Sequence, residues 1–393
     1  MDLARRLNRR VADVPPSGIR KFFDIVRKMP DAISLGVGEP DFVTPWPIRE
    51  AAIVSIEEGK TQYTSNWGLP GLREKISYYL KTRYDVSYSP DNEILVTVGA
   101  SEGIDLAMRA LVCPGDEVII PDPSYVSYAP AVTFAGGIPV AVKTHAEDGF
   151  AIRPDALREV INERTKALIL PYPNNPTGGV MSREELLAIA GVLEGTEVAV
   201  VSDEIYSELV YDGHEHTAFA SLPGMWERTI TLNGFSKAFA MTGWRVGYAC
   251  APKEVLASLF KIHQYTMLCA SIQGQVAADK ALELAFQTNY AEVRRMVSSY
   301  DRRRRLMLSR FEEIGMPCFT PRGAFYVFPS IERTGLSSEA FCGALLETQK
   351  VAAVPGTAFG ESGEGYVRCS YATGIDKLRQ ALDRIGEFVN SQR

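Results

Sequence analysis

Lys237 stands in the run Asn233-Gly234-Phe235-Ser236-Lys237-Ala238-Phe239-Ala240-Met241-Thr242-Gly243-Trp244-Arg245-Val246-Gly247-Tyr248. An amine attacks an aldehyde only when neutral, whereas a solvated lysine, with a pKa of about 10.4, is protonated at neutral pH. Lysines that form Schiff bases are therefore desolvated or set beside another cation. Phe235, Phe239 and Trp244 offer the first condition and Arg245 the second. Ser236 and Arg245 add a hydroxyl donor and a fixed cation, the pair a phosphate requires. The run reads as a lysine holding an aldehyde cofactor that carries a phosphate. Alone, a Ser-Lys pair in a surface loop is the plainer reading.

Five further stretches supply the elements that such a site needs. Residues 93–98 read as a buried strand, and Gly99-Ala100-Ser101 then opens a helix on which Ile104, Ala107, Met108 and Leu111 recur at helical spacing. A strand, a small-residue turn and a helix aim free N–H groups at an anion. The turn is neither a dinucleotide fingerprint nor a P-loop. Val198-Ala199-Val200-Val201-Ser202-Asp203 ends a β-branched run in a carboxylate, at the strand end where open α/β sheets bind ligands. A protonated pyridine nitrogen would offset its burial, and Tyr206 could reach the same ring's oxygen. A helix N-cap is the equal alternative for Asp203. Pro171-Tyr172-Pro173-Asn174-Asn175-Pro176-Thr177-Gly178 is a stiff turn that would hold the Asn175 amide, or simply a rigid turn. Tyr125, in Pro121-Asp122-Pro123-Ser124-Tyr125, suits a ring-stacking position or the core. The alternation in Tyr366-Val367-Arg368-Cys369-Ser370-Tyr371 makes a strand with Arg368 on one face, suited to a carboxylate or to an ordinary salt bridge.

With these parts in this order, the chain resembles the class I pyridoxal-5′-phosphate aminotransferases of fold type I, from about Pro16 to the C-terminus. The motifs are Asn-Pro-Thr-Gly at 175–178, Ser-Asp-Glu-x-Tyr at 202–206, Ser-Lys-x-Phe-x-Met-x-Gly-Trp-Arg-x-Gly-Tyr at 236–248 and Tyr-Val-Arg at 366–368. Residues 17–24 and 35–42 look most like the aromatic and broad-range enzymes of archaea and bacteria. The resemblance implies that Lys237 holds pyridoxal phosphate as an imine, that Asp203 faces the pyridine nitrogen, and that Tyr206 and Asn175 bind the ring oxygen. Tyr125 would stack on the ring, while the backbone of Ala100 and Ser101, with Ser236 and Arg245, would bind the phosphate. Arg368 would clamp the substrate carboxylate, helped by Asn175 and the backbone of Gly38. Tyr63 matches a tyrosine that reaches the neighbouring subunit's phosphate, so a homodimer is expected.

Its implied reaction is ping-pong transfer of an amino group from an L-amino acid to a 2-oxo acid. Ile19, Phe22, Tyr63 and Trp67 suggest aromatic or broad hydrophobic donors, with 2-oxoglutarate as acceptor. Aspartate, alanine or diaminopimelate-type donors and a β-eliminating carbon–sulfur lyase are the alternatives. A cofactor-sensing regulator would need a DNA-binding domain for which there is no room before Pro16.

Composition sets the frame. The 393 residues carry 42 basic and 48 acidic side chains, net −6, which argues against a nucleic-acid partner. The Arg302-Arg303-Arg304-Arg305 run is expected on the solvated face of a helix over 291–314. The N-terminus lacks the apolar core of a secretory signal, and the span 125–142 is broken by Pro130, Gly136, Gly137 and Pro139, so no membrane crossing is expected. Six cysteines without Cys-x-x-Cys spacing fit a reducing cytoplasm. His214-Glu215-His216 reads as a solvated loop and not a metal site.

Seven strand-like runs between 93 and 250 alternate with helical ones, predicting an α/β fold with a mostly parallel seven-stranded sheet. Strands at 324–329, 351–355 and 366–371 and a helix at 377–389 suggest a smaller α+β unit. The expected division is a large cofactor-binding domain at 46–289 and a small domain from 1–45 and 290–393, with the site between them.

Overall fold

The computed structural model describes residues 3–16, 18, 29 and 31–392. Seven short runs form one sheet: β1 (Ile94–Thr97), β2 (Glu117–Asp122), β3 (Ile138–Lys143), β4 (Thr165–Leu170), β5 (Ala199–Asp203), β6 (Thr229–Gly234) and β7 (Gly247–Cys250). Their spatial order is β1-β7-β6-β5-β4-β2-β3. β2 and β6 are buried at every position, as strands covered on both faces must be. β3, with Pro139 and mostly exposed residues, closes the edge. The neighbours from β3 to β6 pair in parallel. β7 alone among these seven runs against both its neighbours, with Gly234 opposite Gly247.

A second sheet joins β8 (Tyr326–Val327), β9 (Val354–Pro355) and β10 (Val367–Ser370) in the order β9-β10-β8, all antiparallel. Ile33–Ser34 pairs in parallel with Val351–Ala352, tying the N-terminal segment to this part of the chain. The strand expected at 324–329 shrinks because Ala324 takes a left-handed φ of 57° and Pro329 has no N–H to donate. The run expected at 351–355 splits between two sheets.

Three helices matter for the site: α1 (Gly99–Leu111), α2 (Ala291–Ile314) and α3 (Ile375–Ser391). α2 spans two apolar cores: Val293 packs with residues around β1 and β7, whereas Met296, Tyr300, Met307 and Phe311 pack with β8, β10 and α3. Its arginine run departs from expectation. Arg302 and Arg305 are exposed, but Arg303 and Arg304 are buried. Arg304 meets Asp301 and Asp212 at 2.7 Å each and donates to the Pro321 carbonyl. The His214–His216 turn differs too, since the His216 ring is buried 3.1 Å from Glu204. Among the described residues, no helix is long and apolar enough to cross a membrane, and no cluster of His, Cys, Asp and Glu could hold a metal.

Candidate active site

The strand ends at one edge of the seven-stranded sheet open into a cavity of about 660 Å³. β5 delivers Asp203 to its floor. That carboxylate is buried; Tyr128 donates its hydroxyl to Oδ2 at 2.8 Å and the Ile205 N–H approaches Oδ1 at 3.3 Å. Among the described residues it has no ion-pair partner, and burial pushes its pKa up to about 6. An acid so placed calls for a cationic ligand.

Lys237 lies in the loop from β6 to β7, which the antiparallel pairing folds back to the same edge. Nζ donates to the Gly38 carbonyl at 2.6 Å and sits 5.7 and 5.6 Å from the ring centroids of Tyr206 and Phe325. Burial lowers its pKa to about 8; Arg368 and Arg245 act in the same direction, while Glu39 and Asp203 oppose them. Desolvation thus does most of what the sequence assigned to the neighbouring phenylalanines and Arg245. The rings that face the amine are Tyr206 and Phe325 instead.

The start of α1 forms the third wall. Gly99 has a φ of +72°, and a Cβ there would fall 2.6 Å from Arg245 Nη2. A Cβ on Gly247 would lie 2.5 Å from the Ala100 nitrogen, so only glycine lets β7 approach the helix start. Ala100, Ser101, Ser236 and Arg245 line the cavity together. Val98, at the N-cap, offers no side-chain acceptor, which leaves the helix-start N–H groups for a ligand.

Arg368 enters from β10. It is 2 % exposed, donating from Nη1 to Asn175 Oδ1 at 2.8 Å and from Nη2 to the Gly36 carbonyl at 2.5 Å. Among the described residues its Nε has no partner, and burial lowers its pKa. Tyr206 and Tyr326 share a hydrogen bond at 2.9 Å, and the guanidinium lies 4.4 Å from the Tyr326 ring centroid. Tyr125 is half-buried and edge-on to Tyr128.

The cavity therefore gathers Gly38, Ala100, Ser101, Tyr125, Asn175, Asp203, Tyr206, Ser236, Lys237, Arg245 and Arg368. Tyr63 is not brought in; it is 81 % exposed. Trp67 stacks on Phe260 at 4.0 Å, away from the cavity lining. Ile19 and Phe22 lie outside the described residues. Sequence reasoning missed Tyr128 and Tyr326. The first could have been suspected from its place three residues after Tyr125 at a helix start; the second carried no local signal.

Comparison with known proteins agrees with this geometry. The family described as aminotransferase class I and II matches residues 30–385. Bacillus subtilis YugH, whose name carries no donor amino acid, is 53% identical over 97% of both chains. An aspartate aminotransferase of Pyrococcus abyssi is 47% identical, again over 97% of both. The crystal structure of an aromatic aminotransferase from Pyrococcus horikoshii superposes with a TM-score of 0.89 at 44% identity, covering 94% of this chain and 99% of that one. The chain belongs to the class I and II aminotransferases. It is a pyridoxal-phosphate-dependent enzyme of fold type I.

The residues of this aminotransferase fit the cofactor. A half-buried amine with a lowered pKa suits an aldehyde, and a buried carboxylate without a cation suits a ring nitrogen. The uncapped helix start beside Ser236 and Arg245 suits a phosphate.

Proposed function

We propose that the enzyme transfers the amino group of aromatic or broadly hydrophobic L-amino acids to a 2-oxo acid, 2-oxoglutarate being the favoured acceptor, by a ping-pong cycle. Lys237, Asp203 and Tyr206 are the catalytic residues. When bound, pyridoxal phosphate supplies an electron-accepting heterocycle for the carbanion left by Cα–H cleavage. Lys237, whose pKa near 8 leaves a share of it neutral, would take the Cα proton at Nζ and give it back to the carbon on the far side of the amino nitrogen, two atoms along. Asp203, steadied by Tyr128, presents its carboxylate to the ring nitrogen. Tyr206 and Asn175 hold the ring oxygen, Tyr125 covers the ring, and Ala100, Ser101, Ser236 and Arg245 hold the phosphate.

Arg368 binds the α-carboxylate with Asn175 and the Gly38 backbone. It trades its neutral acceptors for a charged one and fixes which Cα bond is broken. The part carrying β8 to β10, with residues 1–45, forms the small domain, and residues 46–289 the large one. We place the enzyme in the cytoplasm as a homodimer, with the exposed Tyr63 reaching the partner's phosphate site.

One observation carries the donor class. Among the described residues lining the cavity, the cations are Lys237, Arg245 and Arg368, each already assigned, so none faces an acidic side chain. Tyr125, Ile104, Val126 and Tyr326 supply apolar surface. An acidic donor is the second reading, supported by the Pyrococcus abyssi relative. A panel of amino donors against 2-oxoglutarate and pyruvate decides between them. Phenylalanine or tyrosine should lead by kcat/KM; aspartate in first place overturns the assignment.

A further inference from the structure

α1 begins without a conventional cap. Ser, Thr, Asp or Asn at an N-cap would occupy an N–H two or three residues on, but Val98 cannot. The turn is secured differently. Glu102 reaches back so that Oε2 accepts the Val98 N–H at 2.5 Å, and Thr97 Oγ1 donates to the Gly99 carbonyl at 2.9 Å. Neither bond uses the N–H groups of Gly99, Ala100 or Ser101, for which no acceptor is bonded among the described residues.

Glu102 is itself held. Its Oε1 lies 2.6 Å from His263 Nδ1, on the helix Lys253–Thr266, and both side chains are buried. The wholly buried His263 ring has its Nε2 unpartnered, so the contact to Glu102 is its one polar anchor among the described residues. A buried histidine with half its polar atoms unsatisfied is costly to retain for packing alone.

We propose that Glu102 and His263 are a positioning pair for the phosphate site: His263 fixes the Glu102 carboxylate, which caps the turn from behind and leaves its forward-facing donors to the ligand. This rests on reading the α1 start as the phosphate cradle. The test compares three probes on the apoprotein by titration calorimetry: pyridoxal phosphate, inorganic phosphate and pyridoxal, which has no phosphate. Glu102→Ala should raise the Kd of the first two by about tenfold, the scale of a lost helix cap, and leave pyridoxal unchanged. Glu102→Gln, whose amide oxygen can still accept from Val98, should restore affinity to within about threefold. Equal weakening for pyridoxal, or none for phosphate, overturns the proposal. If Glu102→Ala fails to fold, His263→Phe keeps the ring's volume without Nδ1 and carries the same comparison. Ser236→Ala and Arg245→Ala separate the two readings. If they leave phosphate affinity unchanged, the cradle itself is misassigned; if they weaken it while the Glu102 and His263 variants do not, the positioning pair alone fails.

Discussion

Arg304 and Arg368 are both buried almost completely, yet their surroundings are opposite. Arg304, on α2, is met by two carboxylates and a carbonyl. Burial works against its charge, but Asp212 and Asp301 outweigh it and raise the pKa. Arg368, in the cavity, has only neutral acceptors among the described residues, and a lowered pKa. The same contrast extends to the neighbours. Asp203 and Lys237 lie in one cavity, and their hydrogen-bond partners among the described residues are all neutral. The second core completes its charges within the fold, whereas the cavity leaves them to be completed by what binds. Burial without a counter-charge is therefore the mark of function here, not burial itself.

The largest expected effect removes the amine. Lys237→Ala should lower transamination by on the order of a millionfold, as when the nucleophile of a coupled site is lost, measured by coupled assay of 2-oxo acid. Retained turnover would break the assignment. The arginines should then separate by readout. Arg304→Met should cost about 2 kcal/mol in urea unfolding, because the buried Pro321 carbonyl loses its donor and Asp301 loses one of its two cations, with donor KM unchanged. Arg368→Met should instead raise donor KM about 100-fold, the scale of about 2.7 kcal/mol, while the apoprotein holds or gains stability. Comparable destabilisation by both would end the contrast. A pH-dependent effect belongs to Asp203. Its native pKa, raised from 3.8 to about 6, means the folded apoprotein holds this proton more tightly than the unfolded chain does. Its stability contribution is present below pH 4 and is lost as pH rises through about 6. Asp203→Asn removes that loss, so it should lie within about 0.5 kcal/mol of the parent at pH 4 and exceed it by about 3 kcal/mol at pH 7. A constant difference across that range would count against the unpaired carboxylate.

Much of this was legible in the sequence. The seven strands were marked by β-branched runs and turns, and Lys237, Asp203, Asn175 and Arg368 stood in motifs where local order and chemistry coincide. What escaped was non-local. Nothing near Arg304 announces Asp212, ninety-two residues away in the chain, so a charged run on a long helix was read as solvated. Likewise nothing near Tyr206 announces Tyr326, which β8 brings in from 120 residues further along the chain. Periodicity reports which face is apolar. It does not report which polar groups will find one another across that face.

The reversal of a single strand has a consequence for how the ligand edge is furnished. Parallel strands present only their finishing ends there, each followed by a chain leaving for the opposite edge. Because β7 runs backwards, its opening residues arrive where β6 closes, and the twelve residues from 235 to 246 form one return loop that never departs. Amine, hydroxyl and guanidinium thus share a short tether fastened at both ends by paired glycines, so a shift of that hairpin would carry all three groups together.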